Sequence, residues 1–198
     1  TTYSQKKYED GLYKEFYKNG ILEREGFYKN NERVGVWKDF YENGQLSEVY
    51  SYSNDGKLTG EKKTYSTEGI LTSEINLTQK GILVCKIYSE NKKIFAKYSL
   101  VPPKMGNWFM KQGLYEEYYD NDTLNVRCVY FHNEINGVWE KYYETGQKEW
   151  EVEYKEGFRQ DTYKQFYKSG ALKLKGSSFE DYKQGNESQF DEKGNIIW

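Results

Sequence analysis

The sequence predicts an all-β protein: an elongated repeat array of antiparallel β-hairpins, laid edge to edge as a single-layer twisted meander sheet. Three observations predict it. A pattern of aromatics and glycine recurs about every 24 residues. Each recurrence contains a tight-turn signal, and the stretches between turns alternate apolar and polar residues, the period of a half-buried strand.

The repeats open at Gly11, Gly35, Gly60, Gly113, Gly137, Asp161 and Gly185. Four of the steps are of 24 residues (35−11, 137−113, 161−137, 185−161), and one is of 25 (60−35). Two places after the opening stand Tyr13, Trp37, Tyr115, Trp139 and Tyr163, with lysine or glutamate beside them. Five places after it stand Phe16, Phe40, Tyr65, Tyr118, Tyr142, Phe166 and Phe190. Next to these come Tyr17, Tyr41, Tyr119, Tyr143 and Tyr167, and nine places after the opening is a glycine, replaced once by Asp122.

Strand chemistry thus gives way to turn chemistry. Asn19-Gly20 and Asn43-Gly44 are hairpin signals of type I′, which needs positive φ at both central residues. Asp122 is among the few other residue types that visit that region. After the turn, Leu124, Val126, Cys128 and Tyr130 alternate with polar neighbours, as do Trp150, Val152 and Tyr154. A second signal, such as Asn54-Asp55-Gly56 or Glu156-Gly157, then closes the repeat.

Between about Lys80 and Gln112 the period fails. Ile94, Ala96, Tyr98 and Leu100 still alternate, which reads as a decayed fourth repeat, and Val101-Pro102-Pro103 interrupts it. Proline cannot donate to a ladder, so the sheet is expected to bulge, kink or end there. GLYKEFY at Gly11 returns as GLYEEYY at Gly113, and GVWKDFYENGQ at Gly35 as GVWEKYYETGQ at Gly137, both at an offset of 102 (113−11, 137−35). A duplicated block of four repeats follows, with residues 1–100 and 113–198 as two lobes and 101–112 as the interruption. Eight two-stranded repeats at about 4.8 Å per strand would form a ribbon on the order of 75 Å long.

Composition agrees with a thin, folded sheet. Aromatic residues make up 18% of the 198, and 21 tyrosines stand against 2 prolines, so burial rests on rings with polar tips. Net charge is −2, with 29 basic and 31 acidic residues interleaved along the chain, which excludes the basic stripe of a nucleic-acid binder. No apolar run is long enough for a transmembrane helix. The start TTYSQKK lacks an initiator methionine, and the expectation is an exported bacterial protein, in the periplasm or at the cell surface, with its leader removed; the alternative is the cytoplasm.

Chemical constellations are weak. Cys128 falls in the inward-facing series, and Cys85 lies about four strands away, or roughly 19 Å, so two free thiols are expected. His132, the single histidine, sits in a turn without companion ligands. Glu116 and Glu117 point to opposite faces of a strand and cannot serve one bond as an acid and base pair. DNDTLN at Asp120 lacks the glycine and distant glutamate of a calcium loop, and there is neither a phosphate-cradling glycine loop nor a nucleophile elbow. Neither a cofactor, a metal nor a catalytic group is expected. The sequons at Asn76, Asn121 and Asn186 are those expected by chance.

The array, carried by Gly35, Trp37, Tyr41, Gly44, Gln45 and Glu48 and by Gly137, Trp139, Tyr142, Tyr143, Gly146, Gln147, Glu151 and Tyr154, resembles the MORN-repeat variant of a bacterial antitoxin-like family. The resemblance covers about residues 11 to 79 and 113 to 198; Lys62, Ser66, the decayed fourth repeat and the truncated last repeat depart from it. It implies hairpin repeats in an antiparallel sheet that acts in protein interaction, as an antitoxin-like neutraliser or an envelope module. The lipid-kinase domains that accompany such repeats elsewhere have no counterpart in this chain.

Two readings of function follow. In the first, one sheet face presents Tyr13, Tyr17, Trp37, Tyr41, Tyr115, Tyr119, Trp139, Tyr143, Tyr163 and Tyr167 to a protein partner, with Phe16 and Phe40 on the other side. In the second, the Tyr/Trp platforms bind a cell-wall or other glycan. A bland alternative stands beside both: the rings stack only to hold the hairpins together.

Overall fold

A computed structural model describes residues 7–78, 80–102, 109–179 and 182–198. The expected leader junction before Thr1 and the Pro103 half of the interruption lie outside them. Among the described residues there are strands and no helix. The chain forms two compact units, Thr1–Leu83 and Val84–Trp198.

The N-terminal unit contains β1 (Gly11–Phe16), β2 (Leu22–Lys29), β3 (Glu32–Phe40), β4 (Leu46–Tyr52), β5 (Leu58–Tyr65) and β6 (Leu71–Leu77). Each strand pairs antiparallel with the next, in the predicted meander. β7 (Leu83–Tyr88), all but its first residue in the C-terminal unit, is followed there by β8 (Ile94–Val101), β9 (Met110–Lys111), β10 (Gly113–Tyr118), β11 (Leu124–Phe131) and β12 (Glu134–Ile135). β13 (Gly137–Tyr142), β14 (Lys148–Lys155), β15 (Phe158–Phe166), β16 (Leu172–Phe179) and β17 (Tyr182–Gln189) complete it. The sheet does not end at the proline interruption, because β8 pairs both with β9 and, through Lys97↔Glu116 and Ala96↔Glu117, with β10.

The two turns of each repeat are of different kinds, and their assignment corrects the sequence reading. At Tyr17–Ile21 the Tyr17 N–H donates to Ile21 O (2.8 Å) and the Gly20 N–H to Tyr17 O (2.9 Å). Gly20 has φ 84° while Asn19 is not left-handed, so this is a type I turn closed by a left-handed glycine, not a type I′ turn. Asparagine is used for its side chain: Asn19 Oδ1 accepts from the Ile21 N–H (3.0 Å), and Nδ2 donates to Glu42 O of the following turn (3.3 Å). The true two-residue turns with both φ positive lie at the other end of the hairpins, at Asn30-Asn31, His132-Asn133 and Glu156-Gly157.

The opening glycine also has a structural task. Phe27 pairs with Val34 and Glu25 with Lys38, so the three residues Gly35 to Trp37 face the single residue Gly26. Gly35 takes φ 68° in this bulge, which bends β3 and swings the Trp37 ring back over β2. Only glycine fits beneath: a Cβ at Gly26 would lie 2.2 Å from Trp37 Cδ2.

Candidate binding surfaces

Residues two places after each opening share a face with those of the returning strand, since Tyr13 pairs with Gly26, Trp37 with Tyr50, Tyr115 with Cys128, Trp139 with Val152 and Tyr163 with Gly176. This aromatic face is built three ways along the chain.

In the N-terminal unit it is a closed core. Trp37 is completely buried, and Tyr28 and Tyr50 are buried beside it. Tyr28 meets the Trp37 ring edge-on at 5.1 Å, Tyr8 stacks on Tyr28 at 4.2 Å, and the Arg33 guanidinium lies 4.4 Å over the indole. Arg24 grips Asp39 with two bonds of 2.6 and 3.0 Å, which holds the guanidinium pKa above its ordinary value. The Tyr50 hydroxyl donates to the same carboxylate, and burial followed by that negative charge pushes it up to about 12.

At the start of the C-terminal unit the face is capped by a cation. Lys111 Nζ lies 5.4, 4.8 and 4.9 Å from the rings of Tyr98, Tyr115 and Tyr130. Cys85 and Cys128 are buried here as free thiols, as expected, and burial pushes Cys128 up to about 11. Tyr115 is raised by burial and then by its bond to Glu117 Oε2 (3.0 Å). Glu116 bonds instead to Arg127 and Tyr118, so the two adjacent carboxylates do face opposite ways.

Farther on, β13 to β17 leave the same face open. A cleft of about 610 Å³ is walled by Trp139, Trp150, Tyr154 and Tyr163, floored by Val152 and Ser178, and rimmed by Lys141, Arg159 and Glu187. Neither Trp139 nor Trp150 pairs with another ring among the described residues. The Tyr163 hydroxyl donates to Glu187 Oε2 at 2.8 Å; burial, then that carboxylate, lifts Tyr163 to about 12. Gly176 lets the Tyr163 ring lie on the sheet, for a Cβ there would be 2.3 Å from Tyr163 Cζ. Ser178 is 5% exposed, and among the described residues its hydroxyl has no hydrogen-bond partner.

The opposite face carries charge and exposed apolar groups. Leu12, Phe27 and Val36 in the N-terminal unit, and Leu114, Val129 and Val138 in the C-terminal unit, are 43% to 59% exposed at matching repeat positions. Beside them run ladders of alternating sign: Lys14 and Lys38 flank Glu25, while Glu140, Lys148, Glu151 and Lys164 form a chain with contacts of 2.6 to 2.7 Å.

The ten aromatics singled out in the sequence therefore divide. Tyr17, Tyr41, Tyr119, Tyr143 and Tyr167 donate their hydroxyls, at 2.6 to 2.8 Å, to the backbone carbonyls of Phe40, Tyr65, Tyr142, Phe166 and Phe190 in the next repeat. They stitch successive turns together. Tyr13 packs against the buried cluster that holds Trp37, Tyr115 lies under Lys111, and Trp139 and Tyr163 wall the cleft. Trp150, Tyr154, Arg159, Ser178 and Glu187 were missed. The available signal was valine at position 152, where the corresponding place in the N-terminal unit holds Tyr50.

Among the described residues no group of three or more histidines, cysteines or carboxylates is placed to hold a metal, and no helix is long and apolar enough to cross a membrane. His132 occupies the exposed two-residue turn, its ring 4.2 Å from that of Phe131. Asp122 is the left-handed residue of its turn, and its carboxylate accepts from Lys93 Nζ at 3.0 Å.

No curated protein matches the chain significantly. The family model of the MORN repeat variant matches residues 9–30, 33–54 and 135–156. These segments hold the hairpins of β1–β2 and β3–β4 and the strands β13 and β14. Three segments of the chain, two in its N-terminal unit and one in its C-terminal unit, are thus similar to the MORN repeat variant.

Proposed function

We propose that this chain is a non-enzymatic protein-binding scaffold that docks a protein on the charged sheet face of each unit. The observation that carries the reading is the paired set Leu12, Phe27, Val36 and Leu114, Val129, Val138: large apolar side chains held in solvent at the same repeat positions in both units. Isolated exposed apolar residues are ordinary, but a set that recurs with the repeat and is bordered by charge has the make-up of an interface core with a polar rim. Repeats of this family generally bind proteins or membranes. The interleaved signs of the ladders favour a protein over an anionic lipid surface.

A photo-crosslinking residue at Val36 or Val138, installed in the source organism, is expected to capture one and the same protein. One placed at Lys18, on a turn, is not. Adducts of the same pattern from all three positions, or none, would remove the reading. The finer forms, an antitoxin-like neutraliser or a module of an exported bacterial envelope protein, are supported by the family resemblance alone; co-expression with the genomically adjacent gene product and fractionation of cells test them.

One observation favours a second reading, glycan binding: the C-terminal unit holds an open cleft with two tryptophans on the aromatic face.

A further inference from the structure

We infer that the cleft of the C-terminal unit binds a short neutral oligosaccharide, seating one pyranose ring between Trp139 and Trp150. The inference deepens the glycan reading and does not depend on the protein-docking face, which lies on the other side of the same strands.

The chemistry of the lining selects the ligand. A cleft of about 610 Å³ falls within the range of roughly 300 to 1,000 Å³ usual for small-molecule sites. Its walls are ring faces, whose negative quadrupole attracts the weakly positive C–H face of a sugar. Its rim carries both signs, with Lys141, itself paired with Glu149, and Arg159 beside Glu187, which accepts from Tyr163, and its floor has the Ser178 hydroxyl.

Other ligand classes meet an obstacle. A quaternary ammonium would suit the rings and Glu187 but faces Lys141 and Arg159. A phosphate or carboxylate would face Glu187 and would find Lys141 already paired with Glu149 at 3.0 Å. A purely apolar group would leave the hydrogen-bonding groups of the rim, Lys141, Arg159 and Glu187, unused. A pyranose has an apolar face, an edge of hydroxyls that donate and accept, and no charge.

Elsewhere this face is already covered. Arg33 lies on Trp37, Tyr8 lies on Tyr28, and Lys111 lies on Tyr98, Tyr115 and Tyr130. Among the described residues, Trp139 and Trp150 are left with ring faces that no other ring stacks on, and Ser178 with a buried hydroxyl without a hydrogen bond.

The test titrates the full chain with linear oligosaccharides of glucose, N-acetylglucosamine, galactose and mannose, following tryptophan fluorescence and heat. At least one series is expected to saturate with a dissociation constant on the order of millimolar or below. Val152→Tyr, which places at this position the residue the N-terminal unit uses, should weaken that binding roughly tenfold or more. Trp150→Ala, which removes a wall without adding bulk, should do the same, and Ser178→Ala should weaken it severalfold, with circular dichroism reporting that each variant is folded. Val36→Glu with Val138→Glu should leave sugar binding intact while abolishing the protein adduct. The inference fails if no series binds, if binding survives both Val152→Tyr and Trp150→Ala, or if a tyrosine-containing peptide displaces the sugar and binds more tightly.

Discussion

Trp37 and Trp139 stand in the same tripeptide, Gly-Val-Trp, at the same place of a repeat, yet one is completely buried and the other walls an open cleft. The difference lies in what surrounds them. Around Trp37 stand Gly26 beneath, Arg33 above and Tyr50 and Asp39 beside it. At the matching places around Trp139 the sequence has Cys128, Ile135, Val152 and Lys141. Glycine lets the indole settle on the backbone, whereas a cysteine side chain occupies that space; tyrosine fills the flank, whereas valine leaves it hollow. Repeat position fixes where a ring points, and the size of its neighbours decides whether that ring becomes core or wall.

The contrast can be broken most severely at the indoles themselves. Trp37→Ala should cost about 3–5 kcal/mol, because it empties a fully enclosed site, while Trp139→Ala should cost about half of that or less; urea denaturation followed by circular dichroism measures both. Next come the glycines beneath the rings. Gly26→Ala should destabilise by about 1–3 kcal/mol, since the new Cβ meets the middle of an indole that has nowhere to move. Gly176→Ala should cost less, because its Cβ meets the far end of Tyr163, which can swing into the cleft. Equal losses from the two would refute the distinction between a filled and an open face.

Smaller effects sharpen the comparison by showing what the units share. Tyr41→Phe and Tyr143→Phe each remove one hydroxyl from a neighbouring turn's carbonyl, and each should cost about 1 kcal/mol, to the same degree in both units. The last effect concerns pH. Tyr50 is lifted from 10.0 to about 12, so the folded protein keeps a proton that the unfolded chain releases. The stability tied to it is complete below about pH 10 and is lost as pH rises from there through about 12. Tyr50→Phe should flatten that part of the alkaline denaturation curve.

Much of the fold was legible because its signals are local. Alternation and a beat of 24 residues gave strands, their order and the face of each ring. The turn type at Asn19-Gly20 was misread because that dipeptide serves two turn families, and the choice between them rests on the loop length the pairing leaves, here Phe16 opposite Leu22. The site was less legible. Half of the aromatics chosen as a platform spend their hydroxyls on the next turn, a use that the spacing of about one repeat between Tyr17 and Phe40 permits but does not announce. The cleft joins residues from five strands, and what marks it is a missing bulk at Val152, visible only once strands are set side by side.

By itself, then, the sequence determined the periodic properties: hairpin after hairpin, the two faces of each strand, and free cysteines kept apart by the strand spacing. Tertiary structure alone decided which rings are core, which act as staples and which stand open, because these depend on side chains brought together from different strands, whose volumes and hydrogen bonds are not periodic even where the backbone is.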